Sequence, residues 1–201
     1  MSAGEDLFGD RFELVNRYVD ILGSRGIPWG LIGPREGERL WDRHVLNSVA
    51  PADLLPVGAT MADVGSGAGL PGIPLAILRP DLEVTLVEPL LRRAAFLTEA
   101  VQELGLEGRV AVVRARAEDH HGRYDAVVSR ALAPLPRLLS WCGPLRKADG
   151  VILALKGRSA QDELTAAARE VRQHGLIGTV LTVRAHPGVE PTTVVRFLAA
   201  R

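Results

Sequence analysis

Apolar positions along the chain follow two different periods, and the change from one to the other divides it into elements. From Asp6 to Leu22 they fall at Leu7, Phe8, Phe12, Leu14, Val15, Tyr18, Val19, Ile21 and Leu22, a spacing that predicts an amphipathic helix. Gly23 to Gly37 is rich in glycine and proline and predicts a loop. A second helix is expected from about Glu38 to Ser48, with Leu40, Trp41, Val45 and Leu46 inward. Short apolar runs then mark strands at Met61–Val64, Leu82–Val87, Arg109–Val113, Tyr124–Ser129 and Val151–Leu155. Helical stretches separate them: Leu90–Gly105, a segment opened by Pro134 and Pro136 that ends near Gly143, and Ser159–His174 with Ser159 as N-cap. Gly178–Ala185 and Thr192–Ala199, joined by His186-Pro187-Gly188-Val189-Glu190-Pro191, read as an antiparallel pair. Strands alternating with helices and closed by such a pair predict an α/β, doubly wound sheet of seven strands with one reversed. With no internal repeat and no low-complexity linker, residues 1–57 read as a helical appendage packed on one compact domain, 58–201.

One stretch, Met61-Ala62-Asp63-Val64-Gly65-Ser66-Gly67-Ala68-Gly69-Leu70-Pro71-Gly72-Ile73-Pro74, carries the chemistry. It reads as a strand, a glycine-rich loop and a helix with Pro71 or Pro74 in its first turn. Gly65, Gly67 and Gly69 let the backbone turn tightly and approach a ligand that a Cβ would hold away. Gly67-Ala68-Gly69-Leu70-Pro71-Gly72 also satisfies the dinucleotide rule, a weak signal alone. Two acids sharpen it. Asp63 lies two residues before Gly65, and Glu88, 23 residues after Gly65, ends the next strand, where a carboxylate can accept both hydroxyl protons of a ribose. Two acids flanking the loop suit a phosphate-free nucleoside better than a pyrophosphate, which favours S-adenosylmethionine over NAD.

Composition changes this picture little. The 201 residues are 47% hydrophobic, with no long apolar run and no signal-peptide pattern in Met1–Asp10, so the expectation is a cytoplasmic protein without a membrane span. The lone Cys142 fits a reducing compartment. Lys+Arg and Asp+Glu both number 24, so any anion partner must be met by a local patch. One such patch is Arg35, Arg39 and Arg43, at i, i+4 and i+8, with His44 beside it; it reads either as a phosphate-gripping edge or as a solvated helix face. No metal-ligand cluster is expected.

In a parallel sheet, ligands gather at the carboxyl ends of strands. Asp63, Glu88, Arg130 and Lys156 fall at four such ends and predict one charged rim. Ala117 with Glu118 follows the third strand and either frames an adenine or simply starts a helix with acids favoured by its dipole. Arg130 reads equally as a substrate contact or as an ion pair to Asp63 or Glu118.

The combination Arg43-His44-Val45-Leu46-Asn47-Ser48, Asp63 through Leu75, Ser129-Arg130-Ala131 and Ala154-Leu155-Lys156-Gly157 resembles the RsmG family, also called GidB, bacterial guanine-N7 methyltransferases of small-subunit ribosomal RNA. The resemblance runs from about the first helix to the C-terminus. It implies a class I S-adenosylmethionine-dependent methyltransferase fold, Rossmann-like, with strand order three-two-one-four-five-seven-six. It places Gly65, Leu70, Ala117, Glu118 and Arg130 where the family binds S-adenosylmethionine, with Glu88 at the acid after the second strand. It makes 16S rRNA or the small ribosomal subunit the partner of an enzyme expected to be a monomer. Where many members carry an Asn-Leu-Thr tract, this chain has Gly30-Leu31-Ile32-Gly33-Pro34-Arg35. Guanine N7 bears a lone pair and no proton, so no acid–base pair is expected. Arg130, Lys156 and His44 are candidate orienting groups, and Arg35, Arg39, Arg43 and Lys156 candidate RNA contacts.

Overall fold

The computed structural model describes residues 2–200; Met1 and Arg201, the outermost residues of the two expected units, lie outside the described residues. Seven strands form one sheet: β1 (Thr60–Val64), β2 (Glu83–Val87), β3 (Val110–Val113), β4 (Tyr124–Arg130), β5 (Arg146–Lys156), β6 (Leu176–Val183) and β7 (Thr192–Ala199), in the order β3-β2-β1-β4-β5-β7-β6. Strands β1 to β5 pair in parallel, and β7 runs antiparallel to both β5 and β6. This is the expected topology, with its switch point between β1 and β4. The fifth strand is longer than its apolar run predicts, because Arg146 to Gly150 continue the ladder past a register shift opposite Tyr124 and Ala126.

Strand periodicity sends alternate side chains to opposite faces, and both faces are covered. Met61, Ala126, Val128, Leu153 and Leu155 join one apolar cluster, built with α4 (Gly72–Leu78), α5 (Leu91–Glu103) and the N-terminal segment. Ala62, Val64, Val127, Ile152 and Ala154 join the other, with α6 (Leu135–Cys142), α7 (Ala160–Ala166) and α8 (Ala168–Gln173). Phe8, Val15, Tyr18 and Leu22 are buried in the same cluster as the first strand, so the N-terminal segment roofs one face of the sheet.

That segment departs from the two expected helices. Instead of one helix over Asp6–Leu22 there are α1 (Ala3–Phe8), a 3-10 turn at Gly9–Arg11, α2 (Phe12–Ile21) and a π-helical turn at Leu22–Gly26. Gly9, at φ 51°, ends α1. The second expected helix is a 3-10 stretch at Pro34–Arg39, a π-helical turn at Leu40–Leu46 and the short α3 (Asn47–Val49). Trp41 packs its ring 5.5 Å from Phe12 and 6.3 Å from Phe8, so it anchors this segment. The expected helix at Ser159–His174 is likewise split at Ala167, which is fully buried.

Candidate functional site

The glycine loop leaves β1 at Val64 and is pinned from three sides. Gly65 and Ser66 donate their amides to the carbonyl of Val87 at the end of β2, at 2.9 and 3.3 Å. The Gly67 amide donates to Glu88 Oε2 at 2.9 Å. Tyr18, wholly buried in α2, donates its hydroxyl to the carbonyl of Ala68 at 2.8 Å. Burial pushes that phenol well above its usual range, with the charge of Asp63 adding to the effect, so it remains a donor. Two glycines are required here. A Cβ on Gly65 (φ 73°) would stand 2.5 Å from Leu132 Cδ1, and one on Gly69 (φ 96°) would stand 2.5 Å from Ile73 Cδ1. The first faces a cavity; the second admits α4.

The cavity, about 470 Å³, opens at the carboxyl ends of β1, β2 and β4 and is lined among others by Gly65, Glu88, Ala117, Glu118, Leu132 and Trp141. This is the position ligands take in open α/β sheets, and its volume lies within the range of small-molecule sites. Glu88 is only 2% exposed. Its Oε2 holds Gly67 and its Oε1 accepts the Leu90 amide at 3.0 Å, so each oxygen keeps one lone pair for a further donor. Ala131, at the exit of β4, takes φ 52°, a left-handed conformation that costs about 1–3 kcal/mol in a residue with a Cβ. Leu132 and Trp141 were not singled out by sequence. The strand-end rule that selected Ala117 after β3 selects Leu132 after β4 equally well, whereas Trp141 reaches the cavity from α6 and carries no such signal.

The expected rim of four charges does not form, and strand alternation is the reason. Asp63 shares the face of Met61 and comes up beneath α4. Its Oδ2 accepts the Gly72 amide at 2.9 Å, its Oδ1 is buried without a partner, and the residue is wholly enclosed, so it is a loop-positioning acid and not a wall of the cavity. Burial pushes its carboxyl up to about 7 despite the Gly72 amide, which favours the charged form. Arg130 shares the face of Val128 and meets the N-terminal segment. It donates to the carbonyls of Arg43 and His44 at 3.1 and 3.3 Å, to Ser48 Oγ at 3.2 Å and to His44 Nδ1 at 3.1 Å, and pairs with neither Asp63 nor Glu118. Lys156 faces the opposite side, where Ala133 O and Glu163 Oε2 each accept from it at 2.7 Å. Leu70 packs against the apolar core and does not line the cavity.

The arginine stripe is absent for a different reason. Arg35 and Arg39 lie in 3-10 winding and Arg43 in a π-helical turn, so a spacing of four residues no longer keeps one face. Arg43 instead pairs with Glu36 at 3.3 Å. His44 bridges the two groups: Arg130 donates to its Nδ1, so the ring proton is assigned to Nε2, which donates to Glu36 Oε2 at 2.9 Å. Burial lowers the His44 pKa against the pull of Glu36, and the hydrogen bond from His44 lowers that of Glu36. The ring is neutral, with both nitrogens engaged.

Among the described residues there is no group of three or more side chains that could hold a metal ion, and no helix long and apolar enough to cross a membrane. The chain matches the family described as GidB, rRNA small subunit methyltransferase G, over residues 11–187. It is 55% identical over 194 residues to the ribosomal RNA small subunit methyltransferase G of Nocardioides sp., covering 95% of this chain and 77% of that protein. It is 52% identical over 201 residues to the protein of the same name from Mycolicibacterium paratuberculosis, covering 97% and 80%. Among solved structures it resembles the apo form of the S-adenosylmethionine-dependent methyltransferase SibL (TM-score 0.64, 22% identity, 83% of this chain and 58% of that one). It also resembles the O-methyltransferase NcsB1 from neocarzinostatin biosynthesis, solved with S-adenosylmethionine (TM-score 0.64, 19% identity, 89% and 59%). These likenesses show a class I methyltransferase fold, and the sequence relatives show the rest: the chain belongs to the GidB family of small-subunit rRNA methyltransferases, which use S-adenosylmethionine.

Proposed function

We propose that this chain transfers the methyl group of S-adenosylmethionine to N7 of one guanine in 16S rRNA, with the cofactor's nucleoside held in the cavity bounded by Gly65, Glu88 and Ala117–Glu118. The observation that carries the reading is the pairing of an almost fully buried carboxylate, Glu88, with a wall that has no Cβ at Gly65, at the switch point of the sheet. Glu88 has the lone pairs to accept ribose hydroxyls, and Leu132, Trp141 and Ala117 provide an apolar slot for a purine ring. When bound, S-adenosylmethionine supplies an electrophilic methyl group on a sulfonium. Guanine N7 has no proton to lose, so the protein's work is to hold the base in line and to exclude water. Asp63 and Tyr18 keep the glycine loop in place from below, and Arg130 ties the end of β4 to the N-terminal segment. The same reading makes the protein a single copy acting in the cytoplasm, where small subunits are assembled.

Methyl transfer from labelled S-adenosylmethionine to 30S particles and to naked 16S RNA, both from a strain lacking the protein, tests this directly. A single N7-methylguanine is expected. Incorporation at another atom, or none with cofactor still bound, would refute it. Because no general base is required, His44→Gln is expected to retain transfer within about tenfold, whereas loss of a true base costs about 100-fold or more. A folded His44→Gln protein without activity would show that a proton-handling group is needed after all.

A further inference from the structure

The start of α5 breaks several folding preferences together. Its N-cap is Leu90, which provides no side-chain cap, and its first turn holds no acid but carries Arg92 and Arg93, cations at the helix end that disfavours them. Leu90 and Leu91 are 53% and 64% exposed, among the few large apolar side chains left in solvent. Sites where local rules fail without internal compensation are where function is expected. Glu88 takes the Leu90 amide, but among the described residues no acid pairs with Arg92 or Arg93. The acids farther along α5, Glu99 and Glu103, are both held by Arg25. Among the described residues, Arg92, Arg93, Arg114 and Arg116 make no ion pair, even though Glu118 and Asp119 follow closely in the chain.

The position of this patch gives it a use. Leu90, Arg93 and Arg116 line the cavity that holds Glu88, so the patch borders the opening where methyl transfer is placed. Arg92 lies over the ring of Trp29, 5.5 Å from its centroid, and Trp29 in turn packs edge-on against Phe96, which steadies the arginine. A chain of zero net charge has to meet a polyanion through such a local cluster.

We infer that Leu90 to Arg93, with Arg114 and Arg116, form the rim on which rRNA docks beside the target nucleotide, the arginines taking backbone phosphates and the two leucines wedging against an unstacked base. This rests on the rRNA reading above. Arginine neutralises phosphate and holds it by paired hydrogen bonds, and exposed leucine is a side chain that proteins insert at opened base steps. The rim takes the place of the Arg35, Arg39 and Arg43 stripe expected from spacing.

The test is the double variant Arg92→Ala/Arg114→Ala, two rim arginines that do not line the cofactor cavity, assayed with undermethylated 30S particles and 16S RNA. We expect KM for the RNA substrate to rise about tenfold, and the slope of log affinity against log salt to shrink by about two. S-adenosylmethionine affinity and kcat at saturating RNA should stay within about twofold. Arg92→Lys/Arg114→Lys should restore the salt slope, since lysine also neutralises phosphate, but only part of the affinity, since an ammonium cannot make the paired hydrogen bonds. Leu90→Ser/Leu91→Ser should raise KM with the salt slope unchanged. An unaltered KM and salt slope in the arginine pair would overturn the rim, as would a loss confined to cofactor affinity. If the wild type methylates no rRNA, the functional reading fails by itself; direct binding of 16S RNA then decides the rim, and equal binding by wild type and the arginine pair refutes it.

Discussion

Replacing Asp63 by asparagine is expected to flatten the dependence of stability on pH between about pH 4 and pH 7. In the native protein this carboxyl titrates at about 7, raised chiefly by burial, whereas in the unfolded chain it titrates near the ordinary aspartate value of about 3.9. Between those values the folded state binds the extra proton, so stability is full below the unfolded value and falls as pH rises through the folded one. From pH 5 to pH 8 the wild type should lose about 2–3 kcal/mol relative to Asp63→Asn. The comparison of slopes is the readout, because the amide keeps an acceptor for the Gly72 N–H but brings its own constant desolvation cost. Urea unfolding of both proteins at the two pH values measures it. Parallel behaviour would mean that water or a neighbour relieves the carboxylate at Oδ1.

Glu88→Ala should weaken S-adenosylmethionine binding by about 1.5–3 kcal/mol, roughly 10- to 150-fold, the usual size for hydrogen bonds to a charged group. Part of that loss could come from freeing the loop, since Glu88 also holds the Gly67 and Leu90 amides. A 2′-deoxy analogue of the cofactor separates the two contributions. The wild type should prefer the ribose form, and the Ala variant should lose that preference along with affinity. Calorimetric titration that finds unchanged affinity, or a preference for ribose surviving in the variant, would remove Glu88 from the sugar.

The sheet and its glycine loop were legible in the sequence because each depends on local patterns. Apolar runs such as Val84–Val87 and Val110–Val113 mark buried strands whatever surrounds them, and the antiparallel final pair follows from two adjacent β-branched runs. Glu88 and the Ala117–Glu118 turn were legible for a related reason: a residue just past a parallel strand is placed by backbone topology alone. What failed depends on direction across the sheet. Strand ends alone do not assign faces, so position in the sequence groups Asp63, Arg130 and Lys156 with Glu88, although alternation sends the first two under the N-terminal roof and Lys156 to the side of α7. The N-terminal segment departs from its pattern because its helical period is not uniform. Tertiary packing of Trp41 against Phe8 and Phe12 goes with tight and wide turns that propensity does not encode. The sequence of the α5 start shows only an apolar helix, since exposure of Leu90 and Leu91 is a property of the assembled fold.

The placement of β7 sets an order of strand pairing. It is the last of the seven strands in sequence, yet it lies inside the sheet, paired with β5 on one side and β6 on the other. Until Thr192–Ala199 is in place, Leu176–Val183 lacks the strand it pairs with, and the buried row Val151–Leu155 presents an open edge of the kind that invites wrong pairing. Docking of Thr192–Ala199 closes both ladders at once and brings the Thr192 hydroxyl to the side-chain amide of Asn47, 145 residues earlier, at 2.8 Å. The roof over the glycine loop is therefore locked from the far end of the chain. The strand that comes last in sequence order is thus the one that closes the sheet.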